Sequence, residues 1–166
     1  MQVLVSDTSV FIDLERAGLV EICFTLPYRF AVPDVMYERE LKDYGGPELI
    51  RWGLKVVKSS DRITALATQY ARTVKSISVP DAFAIALAKS HGWQLLAGDG
   101  GLRNLAVAEQ VDCHGVLWVF DQLHLTKSVR SRLLHDALTV VSEHPRCRLP
   151  RREIQKRLKI YQPADR

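Results

Sequence analysis

The alternation of short apolar segments with helical patterns constrains the fold of this 166-residue chain more than any other feature. Segments rich in Val, Leu or Phe predict five strands, at 3–6, 29–32, 54–57, 94–97 and 111–114. Helical patterns fall between them, at 9–17, 19–26, 34–43, 60–74, 79–91 and 101–109. Short strands that alternate with helices are typical of a parallel sheet with right-handed crossovers. The chain is therefore predicted to be an α/β protein.

The pattern changes after residue 115, where helices follow one another without strands. "GVLWVFDQLHL" and "KSVRSRLLHDALTVVSEH" predict two helices, and Pro150 opens a last one, "RREIQKRLKI". Ile154, Leu158 and Tyr161 form a narrow apolar stripe on this basic helix. We expect the helix to dock by that stripe and to turn its arginines outward.

Composition favours a soluble protein of a reducing compartment. Hydrophobic residues make up 47% and charged residues 25% of the chain, as in ordinary globular domains. No apolar run approaches the roughly 20 residues of a membrane span, and the N-terminus lacks the pattern of a signal peptide. The three cysteines are far apart and form no CxxC motif, which argues against a zinc knuckle or a disulfide scaffold. We expect a cytoplasmic protein without a membrane partner.

The net charge of +4 is distributed unevenly. Residues 1–145 hold 15 Lys/Arg and 17 Asp/Glu, a net charge of −2, whereas residues 146–166 hold 8 and 2, a net charge of +6. A basic tail on a slightly acidic body suits a polyanionic partner, because neutralised phosphates release their counterions. A solvated terminal helix without a partner explains the charge equally well.

Four acidic residues are predicted to meet at the carboxyl edge of the sheet, where open parallel sheets bind their ligands. Asp7 and Asp99 follow two predicted strands, Asp81 lies in the first turn of an apolar helix, and Glu40 lies on the helix after the second strand. Clustered carboxylates repel one another and need a cation. A ligand set made only of oxygens favours Mg²⁺ or Mn²⁺ over zinc.

Each of these acids also has a purely structural explanation. Asp81 stands three residues after Ser78, as in a capping box, and Asp99 stands in a glycine-containing turn. Asp7 is placed to cap the first helix. The glycines beside Asp99 would serve such a turn, or they would let a phosphate approach closely.

Two glutamates compete for the position on the helix after the second strand. Glu38 and Glu40 lie about 200° apart on a helix, so only one of them can face the site. Glu40 is preferred because Tyr37 and Leu41 bracket it in a half-buried pattern, whereas Glu38 has basic neighbours. Glu38 remains the alternative.

Several enzyme classes are excluded because their motifs are missing. The chain has no GxSxG, no HExxH and no GxxxxGK[ST]. A haloacid-dehalogenase-like phosphatase requires a second aspartate where this chain has Ser9, and a receiver domain requires an acidic pair at the first strand and a late lysine.

Five segments in order resemble the PIN-domain family: "DTSVFIDL", "VPDVMYEREL", "SVPDAFAIALAK", "LLAGDGGLRNLA" and "VDCHGVLWVFDQL". That family comprises metal-dependent ribonucleases, among them the toxins of bacterial VapBC-type toxin–antitoxin pairs. The resemblance covers about residues 1–125 and implies a three-layer α/β/α sandwich with a short parallel sheet. Residues 126–166 are then a C-terminal helical extension with a basic tail, packed on the same domain.

The resemblance assigns roles to individual residues. Asp7, Glu40, Asp81 and Asp99 match the family's acids, which would bind Mg²⁺ or Mn²⁺ and carry catalysis, and Ser9 matches a supporting hydroxyl. Arg103 is in register with a basic residue of the family, and it would contact a phosphate or cap its own helix. The basic stretch 146–159 would contact the RNA backbone, with Arg151, Arg152 and Lys156 as its candidate residues. Equally, this stretch would pack on a second copy of the chain or on an antitoxin.

The expected function is that of a metal-dependent endoribonuclease, with the toxin of a toxin–antitoxin pair as a narrower form. RNA is the expected substrate, and a small antitoxin protein and a second copy of the chain in a homodimer are the expected partners. One departure weighs against activity, because Ala97 stands where the family commonly has Thr or Ser. The alternative is therefore a weak or inactive PIN-like module that binds RNA or protein.

Overall fold

A five-stranded parallel sheet forms the centre of the fold. The structure, a computed structural model that describes residues 1–162, contains β1 (Gln2–Ser6), β2 (Tyr28–Pro33), β3 (Lys55–Val57), β4 (Gln94–Leu96) and β5 (Cys113–His114). Their order in the sheet is β3-β2-β1-β4-β5, and every neighbouring pair is parallel. The predicted α/β class and all five predicted strands are confirmed. Residues 163–166, the end of the predicted extension, lie outside the described residues.

Helices cover both faces of this sheet. They are α1 (Thr8–Arg16), α2 (Val20–Cys23), α3 (Asp34–Met36) with a π-helical turn at Tyr37–Leu41, α4 (Gly46–Trp52), α5 (Asp61–Thr73), α6 (Val79–His91), α7 (Gly100–Ala108), α8 (Val116–Leu125), α9 (Ser131–Glu143) and α10 (Arg151–Tyr161). On one face α6 contacts three strands, and α3, α5 and α7 pack against it. On the other face α1 contacts α2, α8 and α9. The fold is thus the three-layer α/β/α sandwich expected from the sequence.

Aromatic side chains of β2 pack against the helices on the α1 face of the sheet. Phe30 packs between Phe11 of α1 and Phe24 of α2, with ring centroids 6.5 and 5.0 Å apart. Tyr28, two residues earlier and on the same face, lies against Trp118 of α8. These aromatic contacts fix the position of α1, and so they also fix the position of Asp7, the residue that caps this helix.

Helix α6 has the environment predicted from its uniformly apolar sequence. All residues from Ala84 to Ala88 are fully buried. The helix stops at Gly92, which has a φ of +65° and accepts this left-handed conformation because it has no Cβ. Because the helix leads directly into the start of β4, its own first turn lies at the carboxyl edge of the sheet. Asp81 is in that first turn.

Helix α4 was not predicted from the sequence. Its start, Gly45-Gly46-Pro47, resembles a loop, yet Pro47 occupies one of the first helical positions, where a missing N–H costs nothing. Gly46 is buried because the Leu41 carbonyl and the Tyr37 ring leave no room for a Cβ.

The C-terminal helices dock largely as expected. Helix α10 packs on α9, with Ile154 and Tyr161 buried and Leu158 half-buried. Arg157 departs from the expectation of outward arginines, because its Nε and Nη2 donate to the two oxygens of Asp121 on α8, at 2.9 and 2.8 Å. No helix within residues 1–162 is long and apolar enough to cross a membrane.

Candidate active site

Asp7 joins the ends of two strands. Its Oδ1 accepts from Ser9 Oγ at 2.8 Å and from the Val10 N–H at 3.0 Å, which caps α1. Its Oδ2 accepts from the N–H of Gly98, just beyond β4, at 2.9 Å. The residue is only 2% exposed, and burial raises the pKa of its carboxyl despite these donors. Asp7 is thus both a helix cap and a buried charge at the sheet edge.

Asp99 lies on the same edge, one residue after the glycine that binds Asp7. Its Oδ2 accepts from the Leu102 N–H at 3.0 Å and caps α7. The negative charge of Asp99 contributes to the raised pKa of Asp7 and of Asp81. Asp99 therefore has a structural role as a helix cap, and its functional role stays a prediction.

Asp81 reports most clearly that the acids share one site. The pKa of its carboxyl is raised to about 6. Burial is the largest cause, and the negative charges of Asp7, Glu40 and Asp99 also contribute. Ser78 Oγ accepts from the Asp81 N–H at 3.2 Å, as the capping interpretation predicted. Repulsion from three other carboxylates indicates that Asp7, Glu40 and Asp99 all lie within electrostatic reach of Asp81.

Glu40, and not Glu38, faces this cluster. Glu38 is exposed and pairs with Lys42 at 3.2 Å. Glu40 is half-buried, and burial together with the charge of Asp7 raises its pKa. The π-helical turn places it, since the Lys42 N–H donates to the Tyr37 carbonyl at 2.8 Å, five residues back.

Thr8 is a site residue that the sequence did not single out. Its hydroxyl lies beside the Glu40 carboxylate and lowers the pKa of that group. Yet Thr8 Oγ1 is buried and has no hydrogen-bond partner of ordinary length within residues 1–162. A buried hydroxyl without a partner is costly, so a polar group beside Thr8 and Glu40 would be stabilised here. Its place directly after Asp7 was the available signal.

Glycines at the edge make room for hydroxyl side chains. A Cβ on Gly98 would overlap Ser9 Oγ, and one on Gly101 would lie 2.6 Å from Ser76 Oγ and 3.2 Å from Asp99 Oδ2. Beside Gly100 there is open space. Of the glycines around Asp99, therefore, only Gly100 leaves space for a ligand, while Gly98 and Gly101 serve close packing.

The residues present fit a hydrated divalent cation. All candidate ligands are carboxylate oxygens, and the Thr8 hydroxyl would accept or donate to a coordinated water. In the described part of the chain, no three His, Cys, Asp or Glu side chains are close enough to coordinate one ion directly. Mg²⁺ retains several waters and binds through one or two carboxylates, so the remaining acids would act through water.

The other predicted residues lie around this cluster. Ala97 is fully buried and its N–H donates to the His114 carbonyl at 2.9 Å, so the expected hydroxyl is replaced by a core methyl group. Arg103 is exposed; its guanidinium lies near Gly115 and opposes the rise in the pKa of Cys113. Its role stays a prediction.

The basic residues predicted on α10 are exposed, and the described structure brings none of them to the acidic cluster. Arg151 and Arg152 begin the helix, and Lys156 pairs with Glu153 at 3.1 Å. None lines the two clefts that adjoin the acids. Contact of these side chains with RNA remains a prediction.

Comparison with known proteins was made in three ways. A family model named DUF3368 and described as a PIN domain matches residues 3–162. No curated protein matches significantly. Thirteen chains of solved structures are similar, among them a PilT N-terminus domain protein from the hyperthermophilic archaeon Sulfolobus solfataricus P2. That structure is 15% identical, with a TM-score of 0.49, and the match covers 78% of this chain and 94% of the other.

The family match spans nearly the whole chain, including the C-terminal helices and all four acids at the sheet edge. The chain belongs to the PIN-domain family.

Proposed function

We propose that this protein is a metal-dependent endoribonuclease that uses Asp7, Glu40, Asp81 and Asp99. PIN domains are commonly nucleases, and the coarse assignment follows from the family. The observation that carries the proposal is the convergence of these acids at one edge of the sheet, where donors from α1 and from the end of β4 hold Asp7 and where Asp99 caps α7. The charges of Asp7, Glu40 and Asp99 all contribute to the raised pKa of Asp81. A fold that holds four mutually repelling carboxylates at one edge is unfavourable unless a cation neutralises them.

Mg²⁺ or Mn²⁺, when bound, would lower the pKa of a coordinated water and offset the charge that builds on a scissile phosphate. Side chains of this protein position the carboxylates for that ion. Ser9 and the N–H groups of Val10 and Gly98 hold both oxygens of Asp7. The Leu102 N–H holds one oxygen of Asp99. This fixed arrangement avoids reorganisation during the reaction.

Hydrolysis in this scheme needs no nucleophilic side chain. Water attacks the phosphorus in line with the leaving oxygen, and one P–O bond forms as the other breaks. The attacking water would lose its proton to solvent or to a carboxylate that is not directly bound to the ion, and the leaving oxygen would take up a proton from solvent. The nearby Thr8 hydroxyl would orient the attacking water.

The test is cleavage of labelled single-stranded RNA by the purified protein with Mn²⁺, with Mg²⁺ and with EDTA. Asp99→Asn is the sharpest variant, because an amide oxygen can still cap α7 while the charge is removed. Asp7→Asn is expected to disturb the structure of the site more. Both carboxylate oxygens of Asp7 accept hydrogen bonds, and the amide NH₂ of asparagine would face one of these donors. Cleavage that persists in EDTA and in Asp99→Asn would falsify the proposal.

A catalytically weak binding module is the second candidate, and the buried methyl group of Ala97 favours it. Such a protein would bind RNA without cutting it, and Mn²⁺ would not raise its melting temperature. Ala97→Ser restores a hydroxyl at this position. Gain of metal-dependent cleavage in this variant alone would assign the natural protein to the binding class.

Toxin activity, inhibition by a small antitoxin and a homodimeric state belong to the same proposal in its narrower form. Their support is the resemblance of the motifs to the VapBC-type toxins. Growth arrest on induced expression, lost in Asp99→Asn, would test the toxin role. Light scattering of the purified chain would test the dimer.

A further inference from the structure

Two clefts of similar size open from the acidic site, and their linings carry opposite charge. The first, about 540 Å³, contains Thr8 and Glu40 and has Glu15 and Glu48 among its other lining residues. Within the described residues its lining includes no Lys, Arg or His. The second, about 510 Å³, contains Ser9, Gly98 and Asp99. Three arginines line that second cleft: Arg16, Arg146 and Arg148.

The loop Pro145–Leu149 forms the basic wall of the second cleft, opposite Ser9 and Asp99. Bonds at its start hold the loop: the Arg146 N–H donates to His144 Nδ1 at 3.1 Å, and the Cys147 N–H donates to the His144 carbonyl at 2.9 Å. These bonds hold the backbone at the start of the loop, and the side chains of Arg146 and Arg148 are exposed.

Charge pairing separates these arginines from the others nearby. Arg16 lies 3.6 Å from Asp13, and Arg157 is bound to Asp121 and Glu153. Neither Arg146 nor Arg148 makes a salt bridge within residues 1–162. Their guanidinium groups keep their donors available for phosphate oxygens.

A polyanion that reaches four carboxylates must cross a repulsive field. The first cleft adds two more carboxylates to that field, those of Glu15 and Glu48. The lining of the second cleft contains the carboxylates of Asp13 and Asp99 but three arginines, so its net charge is positive. An RNA backbone therefore approaches through the second cleft.

We propose that Arg146 and Arg148 are positioning residues that bind RNA phosphates flanking the scissile one, in the cleft between the 145–149 loop and the Ser9–Asp99 edge. The inference rests on the proposed nuclease function and deepens it. It also narrows the predicted contact of the basic stretch 146–159, because the loop before α10 replaces Arg151, Arg152 and Lys156 as its main part.

The experiment measures binding of a labelled single-stranded RNA in Mg²⁺ by the full chain carrying Asp81→Asn, which blocks cleavage under the proposal and does not line this cleft. Arg146→Ala/Arg148→Ala is compared with Arg29→Ala/Lys55→Ala. The control pair removes the same charge from exposed residues of β2 and β3 that do not line the second cleft. Arg146→Lys/Arg148→Lys keeps the charge at the proposed site.

We expect the loop variant to bind RNA roughly tenfold more weakly, and to lose about 0.7 in the slope of log Kd against log salt for each phosphate contact removed. The lysine variant should retain most of the slope, and the control pair should behave like the parent. In the cleavage-competent protein, the loop variant should raise KM more than it lowers kcat. A variant that was merely less well folded would not change the salt slope.

Three results would overturn the inference. One is equal weakening of RNA binding by the loop variant and the control pair, which would show that binding depends only on the total charge of the protein. Another is RNA binding by the loop variant that is as tight as that of the parent. The third is a larger effect from Arg151→Ala/Arg152→Ala, which would return the contact to α10. If the natural protein cuts RNA in any of these cases, the proposed function survives; if it neither cuts nor binds RNA, both fail.

Discussion

The acidic edge and the basic C-terminal segment hold their charges in opposite ways. At the edge, Asp7 is buried and receives three hydrogen bonds, and Asp81 has a pKa of about 6. Along α10, Arg151, Arg152 and Lys156 are exposed. The first charges were brought together from four distant parts of the chain, whereas the second are neighbours in sequence.

The difference teaches where charge costs free energy. Buried carboxylates at the edge lose water and repel one another, so their removal changes both chemistry and stability. Exposed cations on a helix are screened by water and salt, so their removal changes little in the folded state. Function that depends on the first region should be sensitive to single atoms, and function that depends on the second to total charge.

The largest expected effect is the loss of activity in Glu40→Gln beside a normal Glu38→Gln. Glu40 faces Asp7, and loss of its charge should lower metal-dependent cleavage by about 100-fold or more. Glu38 pairs only with Lys42 at the surface, so its variant is the matched control. The comparison is measured as kcat/KM on one RNA, and equal losses in the two variants would contradict the assignment of Glu40.

The next effect is steric and tests how tightly the edge is packed. Gly98→Ala should destabilise the protein by about 1–3 kcal/mol and reduce cleavage, because its Cβ would displace the Ser9 hydroxyl that supports Asp7. Gly100→Ala meets open space and should leave the free energy of unfolding nearly unchanged. Urea denaturation of both variants decides; an equal cost at the two glycines would mean that Ser9 moves freely.

Asp81→Asn should stabilise the metal-free protein at neutral pH while it impairs cleavage. The pKa of Asp81 is about 6 in the folded protein, against an ordinary value of 3.8 for aspartate, so the folded state binds more protons between these values. Stability therefore falls as pH rises from about 4 to 6, and the variant lacks that loss. Because the carboxyl is partly solvated, we expect about 1 kcal/mol, or roughly 2–4 °C in Tm.

Melting curves in EDTA at pH 5 and pH 7.5 measure this effect. The difference between variant and parent should grow with pH, and Mn²⁺ should raise the Tm of the parent more than that of the variant. A variant that is less stable than the parent at pH 7.5 would contradict this prediction. It would show that the stabilising contacts of Asp81 at the start of α6 outweigh the free-energy cost of its charge.

The smallest effect is expected at the surface pair of α10. Lys156→Ala removes an exposed ion pair with Glu153, which also bonds to Arg157, so Tm should not change measurably. Its effect on RNA binding should disappear at high salt, unlike that of a variant at the acidic edge. A clear drop in Tm would show that this pair helps to dock α10.

Much of the site was visible in the sequence, because strand ends and helix starts carry local signals. Asp7 caps α1 as predicted, whereas Asp99, which was predicted as a turn residue, caps α7. Both caps lie at the same edge of the sheet. Glu40 could be preferred over Glu38 from burial pattern alone, yet the π-helical turn that orients it has no sequence signature. Thr8 and Ser76 were missed because their importance depends on distant partners, Glu40 and Gly101.

The sequence by itself determined the α/β class, the order of strands and helices, and the four acids, since hydrophobic periodicity and capping residues act over a few positions. Tertiary structure alone decided how the charges combine. Only the folded sheet makes Asp81 share a site with Asp7, and only the packing of α1 beside the 145–149 loop gives the two clefts opposite charge. Local propensity acts along the chain, whereas electrostatic energy depends on distance and burial, which the chain acquires on folding.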